Sequence, residues 1–245
     1  MKALILAAGF CTRLQPLTTN FPKGLLPVGG KAIVEYVMDQ IVDHPKITDI
    51  ALVTNHRYST TFSLWLQKTY PHKKIQLIDN GISQSENRLG AIGDMLFSLE
   101  KLRWDDDLLV LSSDTLVSAT MQSFLTWYET HHGVVTMAYK TDDLTRISKK
   151  LGCAILDQEK LVSFVEKPEH PPSPYIGVPY YIFPKETLPM IRDYKNSGGP
   201  LDAPGSILSY FIGKVPTYAF DVGVGYYHDV GTIEIYNALV DSFHS

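Results

Sequence analysis

Only two cysteines, Cys11 and Cys153, occur in 245 residues. Neither falls in a metal-ligand spacing, and so few thiols suit a reducing cytoplasm better than a disulfide scaffold. No apolar run reaches the length of a membrane span; the longest, such as Ala3–Ala8, are strand-sized. The first residues carry one Lys and then a strand-like run with no small-residue cleavage site behind it, so no signal peptide is expected. There is no excess of basic residues. Lys and Arg number 22 against 26 Asp and Glu, a net charge of −4, which argues against a broad nucleic-acid-binding face. Internal repeats are absent, as are the Gly-Lys-Ser/Thr of a P-loop and the dinucleotide G-x-G-x-x-G.

What is present is a core-forming chain, 44% hydrophobic and 20% charged. That composition excludes disorder as the main state, and the length predicts one domain over residues 1–245 with no separating linker. Through the first 140 residues strands alternate with helices. Strands are predicted at Lys2–Ala7, Ile50–Thr54, Lys74–Ile78, Leu108–Ser113 and Val134–Tyr139. Helices are predicted at Ala32–Val42, Thr60–Tyr70, Leu89–Leu102 and Ala119–His131. Such alternation implies βαβ units and a mostly parallel central sheet flanked by helices, an α/β fold.

After about Lys140 the pattern changes to short strands among Pro and Gly: Cys153–Leu156, Leu161–Glu166 and Pro179–Phe183. Helices follow at Lys185–Tyr194 and Ser206–Ile212, strands at Val215–Phe220 and Gly225–Asp229, and a closing helix at Thr232–Phe243. Residues 141–245 therefore read as a smaller mixed lobe built onto the sheet.

The loop from Gly9 to Lys31 follows the first strand and holds Arg13, Lys23 and Lys31 but no acid. In an open α/β sheet ligands bind beyond the carboxyl ends of the strands, and a long loop there tends to be functional. The small residues Ala7, Ala8 and Gly9 let the backbone approach a phosphate or a base edge. Arg13 offers a planar fork to phosphate oxygens and Lys23 a point charge. Read alone, the same loop is equally a solvated Gly/Pro segment with incidental charges.

The stretch Leu6-Ala7-Ala8-Gly9-Phe10-Cys11-Thr12-Arg13-Leu14-Gln15-Pro16-Leu17-Thr18, followed by Pro22-Lys23-Gly24-Leu25-Leu26-Pro27-Val28, closely resembles the signature of the nucleotide-sugar pyrophosphorylases. These are sugar-1-phosphate nucleotidyltransferases, and the resemblance spans roughly residues 1–240. It implies a Rossmann-like, glycosyltransferase-A-like fold with a nucleotide-binding half at 1–140 and an acceptor-binding half at 141–245. Cys11 stands where the family has glycine, and a left-handed backbone there would cost a cysteine more than a glycine. A tolerated substitution is the expectation for Cys11, ahead of a reactive nucleophile.

Two carboxylates stand out. Asp114 ends the buried run Leu109–Ser113, and Asp229 lies in Tyr227-His228-Asp229-Val230-Gly231-Thr232. Taken singly, Asp114 reads as a turn or cap residue, and Asp229 as a cap of the last helix. The resemblance implies that the pair holds the catalytic Mg²⁺, a hard ion that prefers oxygen ligands. Ser113 and Tyr227 replace the family's Gly and Trp beside them. On the acceptor side, Phe164-Val165-Glu166-Lys167-Pro168 matches a family segment whose Glu meets sugar hydroxyls and whose Lys meets the acceptor phosphate. Gly90, in Arg88-Leu89-Gly90-Ala91, matches a glycine facing the base. Gly177 matches a sugar-contacting glycine, with Pro179 as the competing register.

The implied reaction transfers an NMP from an NTP to a sugar 1-phosphate, with Arg13, Lys23 and Asp114 as catalytic groups. Ala7, Ala8, Gly9, Arg13, Lys23 and Gly90 would bind the nucleotide, Glu166, Lys167 and Gly177 the acceptor. Two alternatives share the motifs: a cytidylyltransferase acting on phosphocholine or another alcohol phosphate, and an inactive homologue that only binds nucleotide sugar. The first would use the many second-half aromatics, such as Tyr180, Tyr181 and Tyr227, as a cage for a quaternary ammonium, although core packing is the plainer expectation for them. A small-molecule enzyme without nucleic-acid or membrane partners is expected, and a homo-oligomer is compatible with the sequence.

Overall fold

The computed structural model describes residues 1–243. Its strands are β1 (Lys2–Ala7), β2 (Pro27–Val28), β3 (Lys31–Ala32), β4 (Asp49–Thr54), β5 (Ile75–Asp79), β6 (Leu108–Ser112) and β7 (Thr115–Val117), then β8 (Val134–Lys140), β9 (Cys153–Asp157), β10 (Lys160–Val165), β11 (Tyr175–Phe183), β12 (Thr217–Asp221) and β13 (Tyr227–Asp229). Its helices are α1 (Ile33–Ile41), α2 (His56–Thr69), α3 (Ala91–Leu102), α4 (Met121–Tyr128), α5 (Leu188–Asn196), α6 (Leu208–Phe211) and α7 (Ile233–Ser242).

Nine strands form one mixed sheet in the order β5-β4-β1-β6-β11-β8-β12-β10-β9. The first four pair in parallel, as strand–helix alternation predicts. Alternate residues of β1 serve opposite faces. Ala3, Ile5 and Ala7 join α1, α2 and α4 in one apolar layer, while Leu4 joins α3, α5 and α6 in the other. The period of two in the strand and the apolar stripe of each helix thus produce a sheet covered on both sides.

The second half departs from the sequence reading. β8 does not extend the parallel series beside β6. β11 lies between them, antiparallel to both, and its inward residues supply both apolar layers. Nor do residues 141–243 form a lobe with a sheet of their own. β9, β10, β11 and β12 join the central sheet, and β9 pairs back onto β11 through Ala154 and Cys153, so five strands close into a barrel-like ring. The local sequence could not specify this closure, because apart from the neighbouring pair β9–β10 its pairings join segments distant along the chain. β11 also starts earlier than predicted and runs through Pro179, where a shift of register between Val178 and Tyr181 relieves the proline of its missing ladder hydrogen bond. α2 starts earlier too, because Asn55 accepts from the Tyr58 N–H and caps it.

A third apolar cluster lies at the carboxyl ends of β1 and β6. Leu14, Leu26, Val28, Ile33, Leu116, Val230 and Leu239 pack together, all nearly without exposure. They draw the loop after β1, the two-stranded ladder β7–β13 and helix α7 into one body. That packing holds the next features in place.

Candidate active site

A cavity of about 650 Å³ opens beyond the carboxyl ends of β1 and β6. Ala7, Ala8, Gly9, Cys11, Arg13, Lys23, Gly90, Asp114 and Lys167 all line it. The loop that carries most of these is tied down from below. The buried Asn55 amide donates to the Ala8 carbonyl at 3.0 Å, the Thr18 hydroxyl to the Cys11 carbonyl at 2.8 Å, and the Tyr58 hydroxyl to the Thr18 carbonyl at 2.7 Å. Arg13 sits in a short 3₁₀ turn, Thr12–Leu14, and Lys23 opens another, Lys23–Leu25.

Cys11 adopts φ 50°, ψ 45°, the left-handed conformation that glycine takes freely. The loop keeps its course and the cysteine bears the strain, of order 1–2 kcal/mol. Cys11→Gly is therefore expected to raise the thermal midpoint by about 2–4 °C, for a gain of about 1 kcal/mol, as differential scanning fluorimetry would show. The thiol is no nucleophile in waiting, since burial pushes its pKa up against the pull of Lys23.

Asp114 and Asp229 converge. Asp229 faces Thr115 across the β7–β13 ladder, and the Val230 N–H donates to the Asp114 carbonyl at 3.2 Å. The Lys23 ammonium is paired with the Asp114 carboxylate and donates to the Val230 carbonyl at 2.8 Å. The Lys23 and Asp114 side chains are only 11% and 18% exposed, so this is a largely desolvated ion pair. Burial raises the Asp114 pKa, but Lys23 and the Ser112 hydroxyl outweigh it and hold the carboxyl below its ordinary range. Asp229 goes the other way: burial first, then the Asp114 charge, push it up against Lys23, Arg13 and Lys167. Lys23 titrates well above a free lysine, because Asp114, Cys11 and Asp229 overcome the effect of burial. Neither acid is a helix cap. Thr232 caps α7, accepting from the Ile235 N–H.

The pair leaves two carboxylates sharing one ammonium beside Arg13, whose guanidinium reaches the same corner as Asp229 near Gly231. Oxygen donors only, and no third His, Cys, Asp or Glu grouped with them among the described residues, fit an ion such as Mg²⁺ that keeps waters and takes ligand phosphates.

Glu166 and Lys167 follow the end of β10, and Lys167 lines the cavity within electrostatic reach of Asp229. Lys167 takes φ 48°, a left-handed conformation that turns the chain at the cavity wall. Burial pushes the Glu166 carboxyl up and Lys167 draws it back in part. Gly177 does not line the cavity: a Cβ there would collide with the Phe164 ring. Pro179 is the β11 residue that lines it. Gly90 caps α3 at φ 78°, with the Leu201 carbonyl where a side chain would stand.

Sequence reading missed Asp94, one turn into α3. It is 7% exposed, lines the cavity and accepts from the Asn80 amide at 2.7 Å. Burial pushes its pKa up to about 6, the Asn80 bond opposing in part. No motif flagged it. An acid among Ile92, Met95 and Leu96 on a buried helix face was the available signal. Because the folded pKa exceeds the unfolded value of about 4, the charge costs stability progressively from about pH 4 to 6 and fully above. That cost is on the order of 2–3 kcal/mol. Asp94→Asn is accordingly expected to raise the thermal midpoint by roughly 4–8 °C at pH 8 and hardly at all at pH 4.

Of the second-half tyrosines, Tyr180 and Tyr227 are buried in one apolar layer and Tyr181 and Tyr194 in the other, where they pack as core residues. Among the described residues no helix is long and apolar enough to cross a membrane.

Known proteins resemble this chain in sequence and in fold. A mannose-1-phosphate guanyltransferase of Debaryomyces hansenii is 28% identical over 236 residues, covering 94% of this chain and 61% of the relative. The mannose-1-phosphate guanylyltransferase of Mycobacterium tuberculosis is 26% identical over 237 residues, covering 96% and 62%. The bifunctional protein GlmU of Methanocaldococcus jannaschii is 25% identical over 232 residues, covering 94% and 51%. The chain thus spans between half and two thirds of the length of these relatives. In fold, it matches a crystal structure assigned to a Bacillus anthracis glucose-1-phosphate thymidylyltransferase with a TM-score of 0.80 at 21% identity, covering 100% of this chain and 96% of that one. The nucleotidyl transferase family profile matches residues 2–243, and the chain belongs to that family.

Proposed function

We propose that the protein transfers a nucleotidyl group from an NTP to a sugar 1-phosphate. The observation that carries this reading is the Lys23 ammonium held between the Asp114 carboxylate and the Val230 carbonyl, with Asp229 and Arg13 beside it, at the rim of the cavity. The names of the matched relatives, which act on mannose 1-phosphate, support the acceptor class.

An oxygen of the acceptor phosphate attacks the α-phosphorus of the NTP. The new P–O bond forms as the bond to the β-phosphate breaks, and pyrophosphate leaves with that electron pair. Such a step asks for alignment and charge neutralisation, with no covalent protein intermediate. Ala7, Ala8, Gly9 and Gly90 let the nucleotide lie against the backbone. Arg13 steadies the β- and γ-phosphates, and Lys23 faces the α-phosphate where charge develops. Lys167 orients the acceptor phosphate, and Glu166 accepts from a sugar hydroxyl. Gly177 contributes by leaving room for the Phe164 ring. Asp114 and Asp229 would hold Mg²⁺, which when bound neutralises phosphate charge. Residues 1–140 would serve as the nucleotide half and 141–245 as the acceptor half of one domain. With both thiols free, the cytoplasm suits the chain.

The test is pyrophosphate release from a matrix of four NTPs and a panel of sugar 1-phosphates, with phosphocholine included, with and without Mg²⁺. The reading expects release with one NTP and a sugar 1-phosphate only when Mg²⁺ is present. Release with phosphocholine alone would move the acceptor class; nucleotide-sugar binding with no release in any well would make the protein a binding homologue.

A further inference from the structure

Resting on the nucleotidyltransferase reading, we propose that Asp94 is the base-selecting residue of the nucleotide site, and that the base it selects is guanine. The cavity has two chemically different ends. At one, Arg13, Lys23, Asp114 and Asp229 act on one another. At the other, Asp94 stands one turn beyond Gly90 on the same face of α3, its N–H donating to the Gly90 carbonyl at 2.8 Å.

Among the described residues no cation balances Asp94. Its proton affinity is set by burial and by Asn80 alone, with no contribution from Arg13, Lys23 or Lys167. Arg88, the basic side chain nearest in sequence that lines the cavity, has its guanidinium engaged by both Asp202 oxygens at 3.0 and 2.8 Å. A phosphate beside Asp94 would therefore meet an uncompensated anion. A neutral ring carrying N–H donors would meet an acceptor.

The carboxylate is also aimed. Asn80 is fixed from behind, its own side-chain oxygen accepting from the Ile82 N–H at 2.9 Å while its amide holds one oxygen of Asp94. The second Asp94 oxygen has no protein partner among the described residues. An ionised carboxylate only accepts hydrogen bonds, so it favours a base edge with adjacent donors. Guanine alone presents two, N1–H and the 2-amino group. Adenine and cytosine present one amino group next to an acceptor nitrogen, and uracil and thymine set a carbonyl oxygen on each side of N3–H, which an anion repels. The stability that the buried charge costs is accounted for by this use. Asn80 acts through Asp94 as a positioning residue.

Equilibrium binding of GDP, IDP, ADP, CDP and UDP to the full chain, by calorimetry with Mg²⁺, tests the assignment apart from the chemistry. The wild-type protein is expected to bind GDP best and IDP, which lacks only the 2-amino group, about tenfold or more weakly. Asp94→Asn should weaken GDP about 10–100-fold and leave UDP unchanged or tighter. Its thermal midpoint, at or above that of the wild type, checks that it is folded. Equal binding of GDP and UDP by the wild type, equal loss for all five ligands in Asp94→Asn, or no binding of any would each overturn the proposal. Selective GDP binding without pyrophosphate release from any NTP would leave it standing and overturn the transfer reaction instead.

Discussion

Lys23→Met is expected to lower kcat for pyrophosphate release by about 10²–10³, with a smaller change in KM. The ammonium is not a loose surface charge. Asp114 and the Val230 carbonyl fix it, and the cluster of Leu14, Leu26, Leu116 and Val230 fixes them. A charge already in place needs no reorganisation when negative charge gathers on the α-phosphate, so its removal acts on the transition state more than on ground-state binding. Lys23→Arg should not rescue. The slot between one carboxylate and one carbonyl suits a compact ammonium, and a planar guanidinium would displace one partner. Steady-state kinetics at saturating substrates check both variants. Near-wild-type kcat in Lys23→Met would remove Lys23 from the chemistry.

Asp114→Asn should cost a similar 10²–10³ in kcat, and the two variants should part company in their response to Mg²⁺. In the wild type Lys23 neutralises much of the charge that would attract a divalent ion. Lys23→Met leaves Asp114 and Asp229 without the ammonium they share, with only Arg13 and Lys167 acting on Asp229, so Mg²⁺ should raise its thermal midpoint more than that of the wild type. Asp114→Asn leaves Lys23 beside Asp229 alone, and Mg²⁺ should then have no measurable effect on its midpoint. The same variant frees Asp229 from the charge that pushes its pKa up, so the Asp229 carboxyl should titrate lower, readable by NMR. An equal Mg²⁺ response in all three proteins would place the ion elsewhere.

The sequence announced the parallel half of the sheet and the loop after β1, because period-two strands and a long run of motif residues are local signals. Asp114 and Asp229 were nameable, but their meeting was not, since 114 residues separate them and they are brought together by the short ladder β7–β13 and the Val230 N–H on the Asp114 carbonyl. The strand Thr115–Val117 was itself hidden, being three residues long. The barrel-like closure of β9 on β11 was illegible for the same reason: it rests on two residue pairs between distant segments. Cys11 was correctly suspected of strain, because φ above zero is a property of single residues. Asp94 escaped notice because its significance depends on burial and on Asn80, fourteen positions away. Gly177 and Pro179 shared an ambiguous register that only the bulge in β11 could resolve, Pro179 lining the cavity and Gly177 resting against Phe164.

The most direct measurement is pyrophosphate release by the wild-type protein given GTP, a sugar 1-phosphate and Mg²⁺, run beside Lys23→Met. Rapid release by the wild type, falling at least a hundredfold in the variant, is the predicted result. Equal rates in the two proteins, or wild-type release unaffected by chelation of the metal, would contradict a site built on Lys23 and the two aspartates.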